Sequence, residues 1–359
     1  MKNKNLSTVH KESGAKVENI FGWDIPISYI DPIQEHLICR KDAILVDLSH
    51  YGKIEFTGHD ASTFLQGMVT NDVLSLEDGQ GKYATFLTRQ GKIISDLYLY
   101  KNKEKFQAIL PPGENSNFIS SIEQFIIMEE IEIEDFSDSF SMFGVFGPNA
   151  SNFLEDYACL PISSHEYIKH ENIEIIKELW TGETGYLVIV QTEEAVDLWK
   201  KLTAKGIQSA GLKAFESLTL ESGIPLFGSE LGPNINPMQA FIDKEAIDFE
   251  KGCYIGQEVI AKIKYIGQVN KGLVGIEISD EQVPEKNSKL LIDKEEVGSI
   301  TRSNFSPSTN RIIAMGFVQK KAMAIGTKIN ILSGNKEISG TVVKLPFLNK
   351  ENIENEKEG

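Results

Sequence analysis

The sequence predicts an α+β protein of two lobes followed by a small β-barrel. Three observations carry this expectation. Up to about residue 268, stretches that alternate apolar and polar residues interchange with stretches of helical spacing. The order strand, helix, strand, strand, helix recurs, which points to antiparallel sheets with packed helices in ferredoxin-like lobes. After Gly272 the texture changes to short strands punctuated by Gly275, Gly298, Gly316, Gly326, Gly334 and Gly340, the pattern of a small barrel.

Taken in order, residues 1–16 are polar and are expected to be loose. Lys53–Thr57 alternates like a strand and Gly58 ends it. Asp60 then stands where a cap would open a helix with Phe64, Leu65 and Met68 on its apolar face. Tyr83–Thr88 and Ile93–Tyr100 read as strands about the Arg89-Gln90-Gly91 turn, and Phe106–Leu110 continues the meander. Asn117–Met128 has helical spacing and Ile131–Glu134 returns as a strand. The order then repeats: strand Ser141–Phe146, a helix from Pro148 to Tyr157, strands Ile173–Leu179 and Tyr186–Val190, and a helix Glu193–Lys205 stopped by Gly206. A boundary near Gly267–Gly272 divides the chain into a two-lobed region, 14–268, a barrel, 269–348, and a disordered acidic tail, 349–359.

At 359 residues the chain exceeds one ordinary core. Its net charge of −16 argues against a protein that coats nucleic acid, because neutralising phosphates needs clustered Lys and Arg. Cys39, Cys159 and Cys253 are scattered and odd in number, which gives neither a disulfide framework nor zinc-ligand spacing. A reducing, cytoplasmic setting follows as an expectation. No stretch has the ~20 apolar residues of a membrane span, and the N-terminus lacks a signal-peptide run. His10, His36, His50, His59, His165 and His170 show no metal-like pairing, so no metal site is expected.

Residues 251–258, Lys-Gly-Cys-Tyr-Ile-Gly-Gln-Glu, hold the most informative segment. A thiol beside a cation tends toward the reactive thiolate, so Cys253 and Lys251 are candidate catalytic residues; the alternative is an inert cysteine in a tight turn. Lys262, Lys264 and Lys271 form a positive island in an acidic chain, suited to an anionic ligand or simply a solvated helix face. In Trp180–Tyr186 two glycines flank Glu183, which is either a bidentate acceptor for a heterocycle bearing adjacent N–H groups or a turn residue. Thr70-Asn71-Asp72 reads as a turn. Ser95 and Asp96 are strand neighbours, so they point to opposite faces and only one can look into a given pocket.

These segments together resemble the folate-dependent aminomethyltransferase (glycine-cleavage T-protein) superfamily, and the octapeptide resembles its YgfZ branch. Phe21–Pro26, Val46–His50, Phe64–Gly67 with Thr70–Asp72, Thr181–Tyr186, Leu220–Pro225, Ser306-Pro307 and Leu345–Phe347 agree in order over residues 14–348. The resemblance implies three domains in a ring around a central tetrahydrofolate pocket, with Glu183 on the pterin and Asn71 in the pocket region. It further implies that Ser95 fills the slot of a catalytic aspartate, and that Phe215 stands where transferases carry an arginine, with Tyr51 as a second ring able to stack on folate. The function so implied is a tetrahydrofolate-binding protein of the YgfZ type that supports iron–sulfur cluster assembly and tRNA modification, with iron–sulfur enzymes as partners and Cys253 in a thiol role. The alternatives are an aminomethyltransferase or demethylase, and a scaffold with a vestigial pocket.

Overall fold

The computed structural model describes residues 3–157, 159–334 and 336–348, so the tail expected at 349–359 lies outside the described residues. The expected architecture of two α+β lobes and a closed barrel is present. The first lobe is a five-stranded antiparallel sheet, ordered Gly81–Leu87, Ile93–Asn102, Lys105–Leu110, Gly52–Thr57 and Glu132–Asp135. Helices Ala61–Met68 and Asn115–Glu123 cover one face, and Phe56, Leu97, Leu99, Phe106 and Phe118 fill the core between.

The second lobe is a six-stranded sheet, ordered Tyr167–His170, Ile173–Lys177, Gly185–Gln191, Phe140–Phe146, Ile44–Asp47 and Gln208–Ala210. It is buried on both faces. Ile44 and Val46 join one core with Met142, Leu187 and Phe215, whereas Leu45 joins another with Phe143, Val188 and Trp199. Period-two side chains with cover on both sides explain why Leu187–Val190 reads as an unbroken apolar run. Ile44–Asp47 precedes the whole first lobe in sequence, yet it sits inside the second-lobe sheet, antiparallel to Phe140–Phe146 and parallel to Gln208–Ala210. The lobes are therefore not two consecutive repeats, because a strand apolar on both faces must sit where both faces are covered.

The N-terminus departs from expectation. Lys4–Glu12 is a helix docked on the second lobe through Leu6, Ser7 and His10. Ser7 donates to Asp24 at 2.8 Å, and the His10 imidazole lies 3.0 Å from Asp47.

The barrel closes in the order Lys271–Ile278, Arg311–Gln319, Glu295–Ser306, Lys289–Ile292, Lys328–Ser333 and Lys336–Val343. Gly298 is needed there for contact, since a Cβ at that position would fall 2.0 Å from the Phe317 carbonyl oxygen. Glu221, at the end of helix Leu212–Glu221, ties the barrel to the lobes. Its carboxylate accepts from Arg40 at 2.8 Å, His36 at 3.1 Å, the Ser308 hydroxyl at 2.7 Å and the Ser306 hydroxyl. No helix among the described residues is long and apolar enough to cross a membrane.

Candidate functional site

Two cavities lie where the three units meet, of about 330 Å³ and about 860 Å³. They share Tyr98, Trp180, Ile224 and Pro225 as common wall. Strand Ile93–Asn102 decides what the smaller cavity contains. Alternation turns Leu97 into the first-lobe core and Asp96 and Tyr98 toward the cavity. Ser95 faces away with Leu97; it is fully buried and its hydroxyl donates to the Asp96 carbonyl at 2.9 Å. The expectation that Ser95 occupies the ligand-facing slot is corrected by this register. The neighbours do point to opposite faces, but the carboxylate takes the cavity side.

Asp96 Oδ2 accepts from the Tyr83 hydroxyl at 2.9 Å, and buried Oδ1 has no hydrogen-bond partner among the described residues. Burial pushes its pKa up to about 6 against the pull of the Tyr83 bond. His50 Nδ1 and Trp180 Nε1, on the same wall, are likewise buried and unpartnered. Burial lowers the His50 pKa to about 4, so the ring is neutral at physiological pH.

Aromatic faces frame these polar atoms. Trp180 lies 5.2 Å from Tyr51, 5.2 Å from Tyr98 and 6.4 Å from Phe215, and Tyr83 lies 4.8 Å from Tyr98. Tyr51 and Phe215 thus fall on the central wall. From the barrel, Arg302 reaches the same wall. It is held by the Glu230 carboxylate at 2.9 Å, Thr219 Oγ1 at 3.1 Å and the Ile224 carbonyl at 2.6 Å.

The remaining candidates lie elsewhere. Glu183 is 3.1 Å from Arg40, whose Nη1 also donates to the Thr181 carbonyl at 2.8 Å, and it is not a wall residue of either central cavity. Asn71 closes its turn by donating to the Tyr83 and Glu245 carbonyls, both at 2.8 Å. Lys251 Nζ donates to the carbonyls of Gln66, Val69 and Asn71, each at 2.7 Å, and so caps the C-terminal end of helix Ala61–Met68. Burial lowers its pKa to about 8. Cys253 is exposed and lines neither central cavity. Neither Glu183 nor Cys253, expected to meet one ligand, thus stands on the wall of the two central cavities.

Trp180 and Tyr83 have no role in the sequence expectation, where His50 is named only as lacking a metal-like pairing and Asp96 only as the strand neighbour of Ser95. Trp180 carried a signal, standing in the segment chosen for its glutamate.

Comparison with known families decides the affiliation. The GCVT N-terminal domain model matches residues 6–251, and the glycine cleavage T-protein C-terminal barrel domain model matches residues 271–349. The chain belongs to the glycine cleavage T-protein family. Within this family it is similar to the aminomethyltransferase of Desulfitobacterium hafniense, 29% identical over 98% of this chain and 99% of that protein. It is also similar to that of Halothermothrix orenii, 30% identical over 97% of this chain and all of the relative. Its fold superposes on the glycine cleavage system aminomethyltransferase T of Bartonella henselae with a TM-score of 0.90, at 26% identity over 96% of this chain and 97% of that one.

The T-protein family uses tetrahydrofolate as its one-carbon carrier. The central wall fits such a group. A flat heterocycle with donors and acceptors on its edge suits aromatic faces interrupted by Asp96 Oδ1, Trp180 Nε1 and His50 Nδ1.

Proposed function

We propose that the protein is a folate-dependent one-carbon transferase of the T-protein type, acting at the junction of the two central cavities. The observation that carries this reading is the buried Asp96 carboxylate, with one oxygen unpartnered on an aromatic cavity wall. Tyr51, Tyr98, Trp180 and Phe215 would hold the folate by their faces, and Asp96, His50 and Trp180 would meet its polar edge. Bound tetrahydrofolate supplies an amine nitrogen that accepts the one-carbon unit. Asp96, with a pKa near 6, is ionised at neutral pH and close enough to it to take up a proton efficiently. Its charge also stabilises a positive centre developing beside it in a site shielded from water. Asp96 rather than Ser95 stands on the wall, and a serine hydroxyl could not supply this charge.

The test is calorimetric titration with tetrahydrofolate together with turnover of an aminomethyl donor. The expected result is saturable heat and folate-dependent transfer. Absence of folate binding would sink the reading.

A second reading, the YgfZ type, is favoured by exposed Cys253 in its Lys-Gly-Cys-Tyr-Ile-Gly-Gln-Glu segment. Standing outside the cavities, the thiol would serve an external protein such as an iron–sulfur enzyme rather than the folate. Under the transferase reading Cys253→Ser leaves turnover within twofold; under the YgfZ reading it abolishes support of the client enzyme while folate binding persists.

A further inference from the structure

The larger cavity holds a second proton-handling group that the aspartate does not account for. Glu178 is buried and accepts from the Tyr100 hydroxyl at 2.7 Å, and the same oxygen lies 2.7 Å from His165 Nδ1. With Nδ1 committed to a carboxylate, Nε2 is the nitrogen left to the cavity that His165 lines. His165 is part-exposed there, whereas the Glu178 side chain is almost wholly buried. His165 also adopts a left-handed backbone, φ 64, which only a minority of non-glycine residues show.

The dyad is joined to the site already described. Its ring lies 5.7 Å from Tyr98, and Tyr98 follows Asp96 by two residues on one strand, so both present to the same face. Tyr98 and Trp180 form the wall between the cavities, leaving Asp96 on one side of it and His165 on the other.

We propose that His165, oriented by Glu178, is a further catalytic acid of this site, protonating the departing heteroatom of the one-carbon donor from the larger cavity. The proposal rests on the transferase reading. The bond from carbon to the donor's nitrogen or sulfur breaks with its electron pair on that heteroatom, which takes the Nε2 proton. A new bond joins the carbon to the attacking amine nitrogen, whose own proton passes to Asp96 Oδ1. One proton is given and one is received, and exchange with water resets both groups. Glu178 is the positioning residue.

The charged and titratable groups around His165 agree with an acid. Glu178 just after strand Ile173–Lys177, Glu245 and Lys244 on helix Asp243–Ala246, Tyr83 and Tyr98 on the first-lobe strands, and Lys344 just after the last barrel strand line the same cavity, and Tyr100 approaches through Glu178. Burial alone would lower the imidazole pKa, but the Glu178 hydrogen bond and charge, with Glu245, outweigh it and raise it. A carboxylate base and an imidazole whose pKa is raised, on opposite sides of one junction, are the kind of pair that acid–base chemistry uses.

The experiment follows the His165 ring by NMR in the intact protein across pH, with and without folinate, alongside calorimetry and turnover. The expected midpoint lies above the ordinary ~6.5 of histidine, moves when folinate binds, and falls in Glu178→Gln. His165→Gln is expected to bind folinate within twofold of wild type, lose roughly tenfold or more in kcat, and lose the alkaline limb of the wild-type pH profile. If folinate binds yet leaves the His165 titration unmoved, or if the variant keeps turnover and limb, the inference is overturned and the transferase reading stands. If folinate gives no heat, both fall. Should the variant fail to fold, the wild-type titration decides.

Discussion

Two buried carboxylates at the centre of the molecule have opposite fates. Glu221 receives donors from Arg40, His36, Ser306 and Ser308. Asp96 receives one from Tyr83, and its second oxygen has none among the described residues. Burial raises the pKa of both, but at Glu221 the His36 bond and charge, Arg40 and Ser306 reverse it and bring the value to about 2. At Asp96 burial wins and the value is about 6. A carboxylate enclosed by donors is a structural clasp, here between barrel and lobes. One left short of donors on a cavity wall is reserved for something that enters the cavity.

Exchanging the chemistry of each should expose this contrast. The largest expected effect is on transfer by Asp96→Asn, which keeps the shape and the Tyr83 bond but cannot take a proton. Its turnover should fall by about 10²–10⁴-fold, with tetrahydrofolate affinity little changed. A variant that keeps its turnover would remove Asp96 from the chemistry. Glu221→Ala should instead act on stability, losing about 3 kcal/mol, the low end for a broken buried pair, because Arg40 keeps Glu183 while His36, Ser306 and Ser308 lose their acceptor. Chemical denaturation measures this loss. Glu221 also sets an acid limit. A depressed pKa stabilises the fold above the unfolded value near 4.5 and loses that contribution as pH falls toward 2. In the variant, that part of the acid-unfolding curve should flatten.

Legibility in the sequence divides along the same line. The hairpin Gly81–Leu87 with Ile93–Asn102 and the barrel strands were readable because period-two alternation and turn residues are local signals. Helix Lys4–Glu12 was not readable. Beside Leu6, its anchors are Ser7 on Asp24 and His10 on Asp47, polar contacts that apolar periodicity does not register. Alternation showed that Ser95 and Asp96 face opposite ways, yet which one meets the cavity depends on where the second lobe and barrel pack. Position in the sequence pairs Lys251 with the neighbouring thiol. Its ammonium instead reaches the Gln66 carbonyl, 185 residues away in sequence, and no local pattern announces such a partner.

Lys251 gives the comparison a cationic counterpart. Capped by three carbonyls, it resembles Glu221 rather than Asp96. Lys251→Met should lower stability by about 1.5–3 kcal/mol, the scale of charged hydrogen bonds lost from a helix end. Calorimetric unfolding reads this directly. A change below about 0.5 kcal/mol, ordinary for a surface substitution, would mean that the clamp is idle and that the lysine is free to serve Cys253.

The smallest expected effect reverses the usual sign. A carboxyl whose pKa is raised from 3.8 to about 6 contributes stability that is fully present below 3.8 and lost as pH rises through 6. At pH 8 the ionised Asp96 is therefore a cost to the fold, at most about 3 kcal/mol for a shift of this size. Asp96→Asn removes the charge, and the amide retains an oxygen for the Tyr83 hydroxyl. It should stabilise the protein by about 1–2 kcal/mol at pH 8, the remainder being absorbed by imperfect amide hydrogen bonding. At pH 4, where the wild-type carboxyl is largely protonated, the difference should shrink toward zero. Thermal unfolding of both proteins at the two pH values measures it. An asparagine variant less stable than wild type at pH 8 would place Asp96 with Glu221, as a charge the fold depends on. A variant that gains stability while losing turnover marks a group the fold tolerates at its own expense because the chemistry needs it.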